Sequence, residues 1–176
     1  TQAGGKMNLD LNREFAEFCH NNNKRLFIMY GQTEATARMS FLNPEKSLTK
    51  LGSIGLVIPG GKFTLIDREE QEIEGNNIVG ELVYEGKNVS LGYAQCAEDL
   101  SKSDKNKGKL LTGDIAKRDQ EGYYYIVGRK KRFVKLFGNR INLDETELLL
   151  KNIISECACV GNDDQVYIYI TDESRT

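Results

Sequence analysis

Residues 112–141 read Thr112-Gly113-Asp114-Ile115-Ala116-Lys117-Arg118-Asp119-Gln120-Glu121-Gly122-Tyr123-Tyr124-Tyr125-Ile126-Val127-Gly128-Arg129-Lys130-Lys131-Arg132-Phe133-Val134-Lys135-Leu136-Phe137-Gly138-Asn139-Arg140-Ile141. An acidic turn comes first, then an aromatic strand over Tyr123 to Val127, then Gly128 and a run of cations. Arg129, Lys130, Lys131, Arg132, Lys135 and Arg140 fall in this run with no acid among them. A carboxylate and a cation cluster joined by one short strand can hold the two ends of a nucleotide: ribose hydroxyls at one end, phosphates at the other. The bland alternative for the run is a solvated basic face.

Downstream, Phe133 to Phe137, a turn at Gly138-Asn139 and Arg140 to Asn142 predict a two-stranded ribbon. Leu143 or Asp144 then opens a helix to about Asn152. Two strands follow, Glu156 to Val160 and Gln165 to Ile170, which looks like the start of a small α+β unit. Upstream, Asp10 is the expected cap of a helix with Leu11, Phe15, Phe18 and Cys19 at helical spacing, ended by Asn21-Asn22-Asn23. His20, at the end of that helix, has no expected catalytic role. Leu26 to Tyr30 reads as a strand that runs into Gly31-Gln32-Thr33-Glu34, a usual place for ligand chemistry in α/β sheets. There Tyr30 can lay its ring on a base, Thr33 can bond a phosphate oxygen, and Glu34 can hold Mg²⁺, which prefers oxygen ligands. A capped turn with a solvated acid is the plainer reading. Short strands are expected over Phe63 to Asp67, Ile78 to Tyr84, Asn88 to Tyr93 and Leu110 to Leu111, most simply as a small distorted barrel or sandwich. Ala97 to Lys109 reads as a solvated loop.

The chain has 176 residues, 39% hydrophobic and 28% charged, so it can bury a core. Its net charge of -2 argues against nucleic acid as a partner and for a small anion on the local basic run. Cys19, Cys96, Cys157 and Cys159 lack zinc or redox spacing, and a reduced, cytoplasmic setting follows. No apolar run approaches a membrane span, and no signal peptide is visible. The start at Thr1, near Gly4-Gly5, and the end directly after a strand suggest a piece of a longer protein.

With these residues laid out, the chain resembles the adenylate-forming enzymes: acyl- and aryl-CoA synthetases, peptide-synthetase adenylation domains and beetle luciferases. Tyr30-Gly31-Gln32-Thr33-Glu34 is similar to the family's Tyr-Gly-x-Thr-Glu motif. Ala3-Gly4-Gly5 resembles its Gly-Gly turn, and Gly52-Ser53-Ile54-Gly55 to Pro59-Gly60 its Gly-Ser-x-Gly…Pro-Gly segment. Gly80-Glu81-Leu82 to Gly92-Tyr93, and Thr112-Gly113-Asp114 to Gly128-Arg129, follow in the family's order.

The resemblance implies an α/β plus β fold. Residues 1–128 would be the C-terminal part of the AMP-binding domain, comprising a sheet edge and a distorted β-barrel. Residues 129–132 would be a hinge, and 133–176 an incomplete α+β C-terminal domain. It implies catalytic roles for Thr33, Glu34 and Lys135, with Glu34 as metal ligand. Nucleotide contacts would come from Gly4, Gly5, Tyr30, Gly31, Thr33, Asp114 and Arg129. Asp114 would accept both ribose hydroxyls, Lys131 would be the hinge, and Gly138 and Arg140 would lie on the CoA or phosphopantetheine path. The implied ligands are ATP and Mg²⁺, a carboxylic acid that forms an acyl-adenylate, and CoA or an acyl carrier protein as the acceptor. A non-catalytic nucleotide-binding relative is the alternative. Two departures stand out: Arg132 replaces the usual Asp after the hinge, and Gly108-Lys109-Leu110-Leu111 replaces the usual aromatic before Thr112. The family's phosphate loop and its adenylation lysine would lie before Thr1 and after Thr176, so the 176-residue chain alone is not expected to run the cycle.

Overall fold

The structure is a computed structural model that describes residues 1–136, 139–154, 156–162 and 164–171. The chain divides into two compact units, Thr1–Val127 and Gly128–Thr176.

In the first unit, helix α1 spans Leu9–Asn21. Its cap is Asn8 and not Asp10: the Asn8 side chain accepts from the backbone N–H of Asp10 and Leu11. Asp10 lies in the first turn, where an acid complements the helix dipole. Asn22 closes the other end by bonding Phe18 O through its side chain, and Asn23 turns left-handed at φ 54°. Ala16 brings the helix to a core shared with Leu26, Ile28, Leu42 and Tyr123.

Strands β1 (Ile28–Tyr30), β2 (Ser40–Leu42) and β3 (Leu56–Val57) form a small antiparallel sheet. Strands β4 (Lys62–Ile66), β5 (Val79–Glu85), β6 (Lys109–Arg118) and β7 (Tyr124–Arg129) follow one another in a second sheet, paired in chain order. The expected barrel is therefore an open meander, with no closed barrel among the described residues. Its flanks are engaged by single bridges, Ile66 to Glu72 and Gly55 to Tyr124, instead of by each other. Phe63 centres the core, with its ring 6.2 Å from Tyr30, 5.6 Å from Tyr84 and 5.1 Å from Tyr124. Leu82, Tyr84, Met39 and Leu42 are fully buried.

Gly55 shows why the Gly-Ser-x-Gly segment has its composition. Its φ is +83°, and a Cβ there would stand 1.9 Å from Phe41 O. The buried Ser53 hydroxyl donates to Tyr124 O at 2.9 Å and accepts from Gly55 N at 2.9 Å. Only a glycine lets β2, β7 and this turn meet.

The strand expected over Asn88 to Tyr93 does not form. Its hydrogen-bonding groups serve the turn after β1: Ser90 N donates to Glu34 O at 2.7 Å, and the Asn88 amide donates to Ala35 O at 2.7 Å and Arg38 O at 3.1 Å. The stretch after it, expected as a solvated loop, holds a short 3-10 turn over Ala97–Ser101. In the second unit, β8 (Phe133–Leu136) and β9 (Asn139–Asn142) make the antiparallel ribbon. Asn142 caps helix α2 (Leu143–Leu150) by accepting from Asp144 N. Strands β10 (Cys157–Gly161) and β11 (Val166–Ile170) pair behind it, and Val134, Leu143 and Cys159 form the core.

Candidate functional site

The site begins at the irregularity in β6. Register runs Val79–Lys117, Gly80–Ala116, Glu81–Ile115, then resumes at Val83–Leu111. Between those pairs β5 advances from 81 to 83 while β6 advances from 111 to 115, so β6 carries two extra residues. Thr112, Gly113 and Asp114 thus share the space opposite Leu82. Gly113 takes a left-handed φ of +68°, which a bulge of this kind needs at one position. Thr112 pins it: its buried hydroxyl donates to Leu82 O at 2.7 Å and accepts from Asp114 N at 3.1 Å. The Thr-Gly-Asp motif is the bulge itself, where a strand ending near Leu111 was expected.

Asp114 is only 3% exposed, yet it meets polar partners 82 and 84 residues away in the chain. The Tyr30 hydroxyl donates to its Oδ2 at 2.6 Å. Gln32 Nε2 donates to the same oxygen at 3.0 Å and to Thr112 O at 2.8 Å. Tyr30 ends β1, and Gln32 precedes a short 3-10 turn over Thr33–Ala35. Gly31 lies between them where a Cβ would fall 2.5 Å from the carbonyl of Ala37, so the turn folds back on glycine alone.

Thr33 is exposed at the start of that turn, and Glu34 is half-buried beside it. The Tyr93 hydroxyl donates to Glu34 Oε1. That bond to a carboxylate raises the Tyr93 pKa above its ordinary value, with burial second. Glu34 is a hard oxygen donor. Among the described residues no cluster of three His, Cys, Asp or Glu could hold a metal unaided. Mg²⁺ characteristically takes one or two carboxylates and completes its shell with phosphate oxygens and water, so this donor set fits a nucleotide-borne ion.

Gly4 and Gly5 are exposed in the loop after Gln2. Gln2 pairs in parallel with β1, through Gln2 N to Phe27 O at 2.8 Å and Met29 N to Gln2 O at 2.9 Å. The loop therefore leaves alongside the same strand that ends in Tyr30.

The remaining expected residues belong to the second unit or open it. Arg129 is exposed at the end of β7, one residue beyond the expected strand end at Gly128. Lys131 is exposed in a 3-10 turn over Lys130–Arg132, and Lys135 is exposed on β8 opposite Arg140. Gly138 and the side chain of Arg140 lie outside the described residues. Arg132 forms the hub of this unit. It donates to Asp144 at 2.7 Å, to Cys159 O at 2.6 Å and to Glu147, whose carboxylate also accepts from Cys159 N at 2.6 Å. Burial pushes the Glu147 carboxyl up, but the Cys159 N–H and the Arg132 guanidinium outweigh it and hold its pKa below the ordinary range.

Sequence reasoning named Tyr30, Glu34 and Asp114 but missed Gln32 and Tyr93. Gln32 is the variable position of its motif, and Tyr93 falls in a stretch of strand-like composition.

The model of the family described as AMP-binding enzyme matches residues 1–94. This chain belongs to the AMP-binding enzyme family. Gramicidin S synthase 2 of Brevibacillus brevis is 31% identical over 172 residues, 94% of this chain and 4% of that protein. The Long-chain-fatty-acid--CoA ligase of Escherichia coli O6:H1 is 37% identical over 134 residues, 75% of this chain and 23% of that protein. Among solved structures, the o-succinylbenzoate coenzyme A synthetase of Bacillus subtilis in complex with ATP and magnesium ion superposes with a TM-score of 0.72 at 29% identity. It covers 95% of this chain and 35% of that one. The chain thus spans about a third or less of each of these relatives. No helix among the described residues is long and apolar enough to cross a membrane.

Proposed function

We propose that this chain carries the nucleotide-holding part of an ATP-dependent, AMP-forming ligase that activates a carboxylic acid and passes its acyl group to a thiol. The observation that carries this reading is the convergence of Tyr30 and Gln32 on the Asp114 carboxylate, one turn before Thr33 and Glu34. An ionised carboxylate has acceptor sites enough for a pair of neighbouring ribose hydroxyls beside the Tyr30 and Gln32 donors. The Tyr30 ring takes the adenine face, and the loop at Gly4 and Gly5 flanks it, with Gly31 allowing the backbone to stay close. Thr33 donates to an α-phosphate oxygen. Glu34 would hold Mg²⁺, and the ion would supply neutralisation of phosphate charge. Arg129 contacts the ribose or phosphate.

In the first step an oxygen of the acid attacks the α-phosphorus in line, the bond to the bridging oxygen breaks, and pyrophosphate leaves. In the second a thiol sulfur attacks the acyl carbon of the adenylate, and AMP leaves with the electrons of the broken C–O bond. The residues here contribute alignment and charge placement, which dominate such reactions. Lys131 serves as the hinge between the steps, and Lys135, Gly138 and Arg140 line the thiol path in the second. Asp114→Ala and Glu34→Ala in the full-length protein are expected to abolish acid-dependent pyrophosphate exchange. Near-normal exchange in either variant removes the role assigned to that residue, and in both it favours a non-catalytic relative.

A carrier-protein acceptor is the second reading, favoured by the likeness to Gramicidin S synthase 2 over nearly the whole chain. Acyl transfer to free CoA supports the first. Transfer only to a phosphopantetheinylated carrier protein supports the second.

A further inference from the structure

Gln32 stands in a position no nucleotide-contact role explains. Both of its hydrogen-bond partners, Thr112 O and Asp114 Oδ2, are acceptors, so the amide must face them with its nitrogen. One nitrogen thereby spends its two hydrogens on the two ends of the bulge. Asp114 has rotatable χ1 and χ2 and sits next to a glycine, so its own backbone does little to set the plane of its carboxylate. Two donors on one oxygen, from Tyr30 at 2.6 Å and Gln32 at 3.0 Å, do set it. The plane matters because two neighbouring hydroxyls can be met together only from one orientation.

We propose that Gln32 is a positioning residue that orients Asp114 for ribose recognition, with the Tyr30 hydroxyl as its partner. The inference rests on the ribose reading of Asp114 given above. It makes discrimination between ribose and deoxyribose a property of the residue after Gly31, on the same segment that bears Thr33 and Glu34. A merely structural glutamine would steady the bulge without affecting which sugar is preferred.

The test uses the full-length protein with a saturating acid substrate and measures kcat/KM in pyrophosphate exchange for ATP, 2′-deoxyATP and 3′-deoxyATP. Gln32→Met keeps length and removes both donors. It is expected to lower the ATP-to-deoxyATP ratio about fivefold or more, chiefly through a higher KM for ATP. Tyr30→Phe keeps the ring and removes the hydroxyl, and it is expected to lower the same ratio; it serves if Gln32→Met does not fold. Asp114→Asn separates the two levels of the inference. If Asp114→Asn collapses the ratio while Gln32→Met and Tyr30→Phe leave it at the wild-type value, the positioning role is overturned and the ribose reading stands. If Asp114→Asn also leaves the ratio unchanged, the ribose reading falls and the inference with it.

Discussion

Thr112→Val tests whether one hydroxyl holds the β6 bulge. Valine keeps the shape of threonine and removes the two bonds, to Leu82 O at 2.7 Å and from Asp114 N at 3.1 Å, in a residue only 4% exposed. A buried polar group stripped of a partner costs about 1–3 kcal/mol. Two such losses, reduced by relaxation of the bulge, come to about 2–4 kcal/mol. In a chain of 176 residues, each kcal/mol shifts Tm by about 2–4 °C, so a fall of roughly 10 °C is expected. Thr112→Ser keeps the hydroxyl and loses a methyl, worth about 0.8 kcal/mol. The assay is thermal unfolding of the chain by circular dichroism, with pyrophosphate exchange by the full-length protein in parallel. A shift of Asp114 by about 1 Å lowers exchange on the order of 100-fold. If Thr112→Val melts within a degree or so of Thr112→Ser and exchanges pyrophosphate equally well, the hydroxyl does not hold the bulge.

Two further outcomes concern stability. Burial pushes the Asp119 carboxyl up, but hydrogen bonds from Lys50 at 2.8 Å and from the N–H groups of Tyr123 and Glu121 prevail and leave its pKa depressed. Its contribution is present above the unfolded value of about 3.9 and is lost as pH falls through the folded value. Asp119→Asn should therefore flatten the acid limb of stability below about pH 4, read from urea melts between pH 2 and pH 6; an unchanged slope refutes this. Arg132→Met should speed hydrogen exchange at the amides of α2 and β10 by on the order of tenfold, because it strips Asp144, Glu147 and Cys159 O of one shared donor. Equal protection in wild type and variant would show that the hub contributes nothing there.

Much of this molecule is legible from short-range signals. Short apolar runs bounded by turn residues mark β4 and β5, Gly138-Asn139 signals the reversal between β8 and β9 although Asn139 itself pairs with Leu136, and the Asn run stops α1. Tyr30, Glu34 and Asp114 stand in motifs whose chemistry is plain from residue type. The failures share one cause, that the deciding bonds are long-range. Asn88 to Tyr93 has strand-like composition, but its backbone and side chains are claimed by the Thr33–Ala35 turn more than fifty residues earlier. Gln32 acts 82 residues away, and no local pattern marks it. Arg132 looked like a departure because only the acid it replaces was visible, whereas its partners Asp144 and Glu147 become evident once α2 folds against it.

The two extra residues of β6 have an arithmetic consequence. Side chains alternate across a sheet with period two, so one added residue would turn the rest of the strand over and exchange the faces of Ile115 and Ala116. An even insertion preserves parity. Ala116 remains fully buried and Lys117 exposed, on the sides they would occupy in an uninterrupted hairpin. A two-residue insertion thus seats a buried carboxylate at the bulge while the rest of β6 keeps its faces.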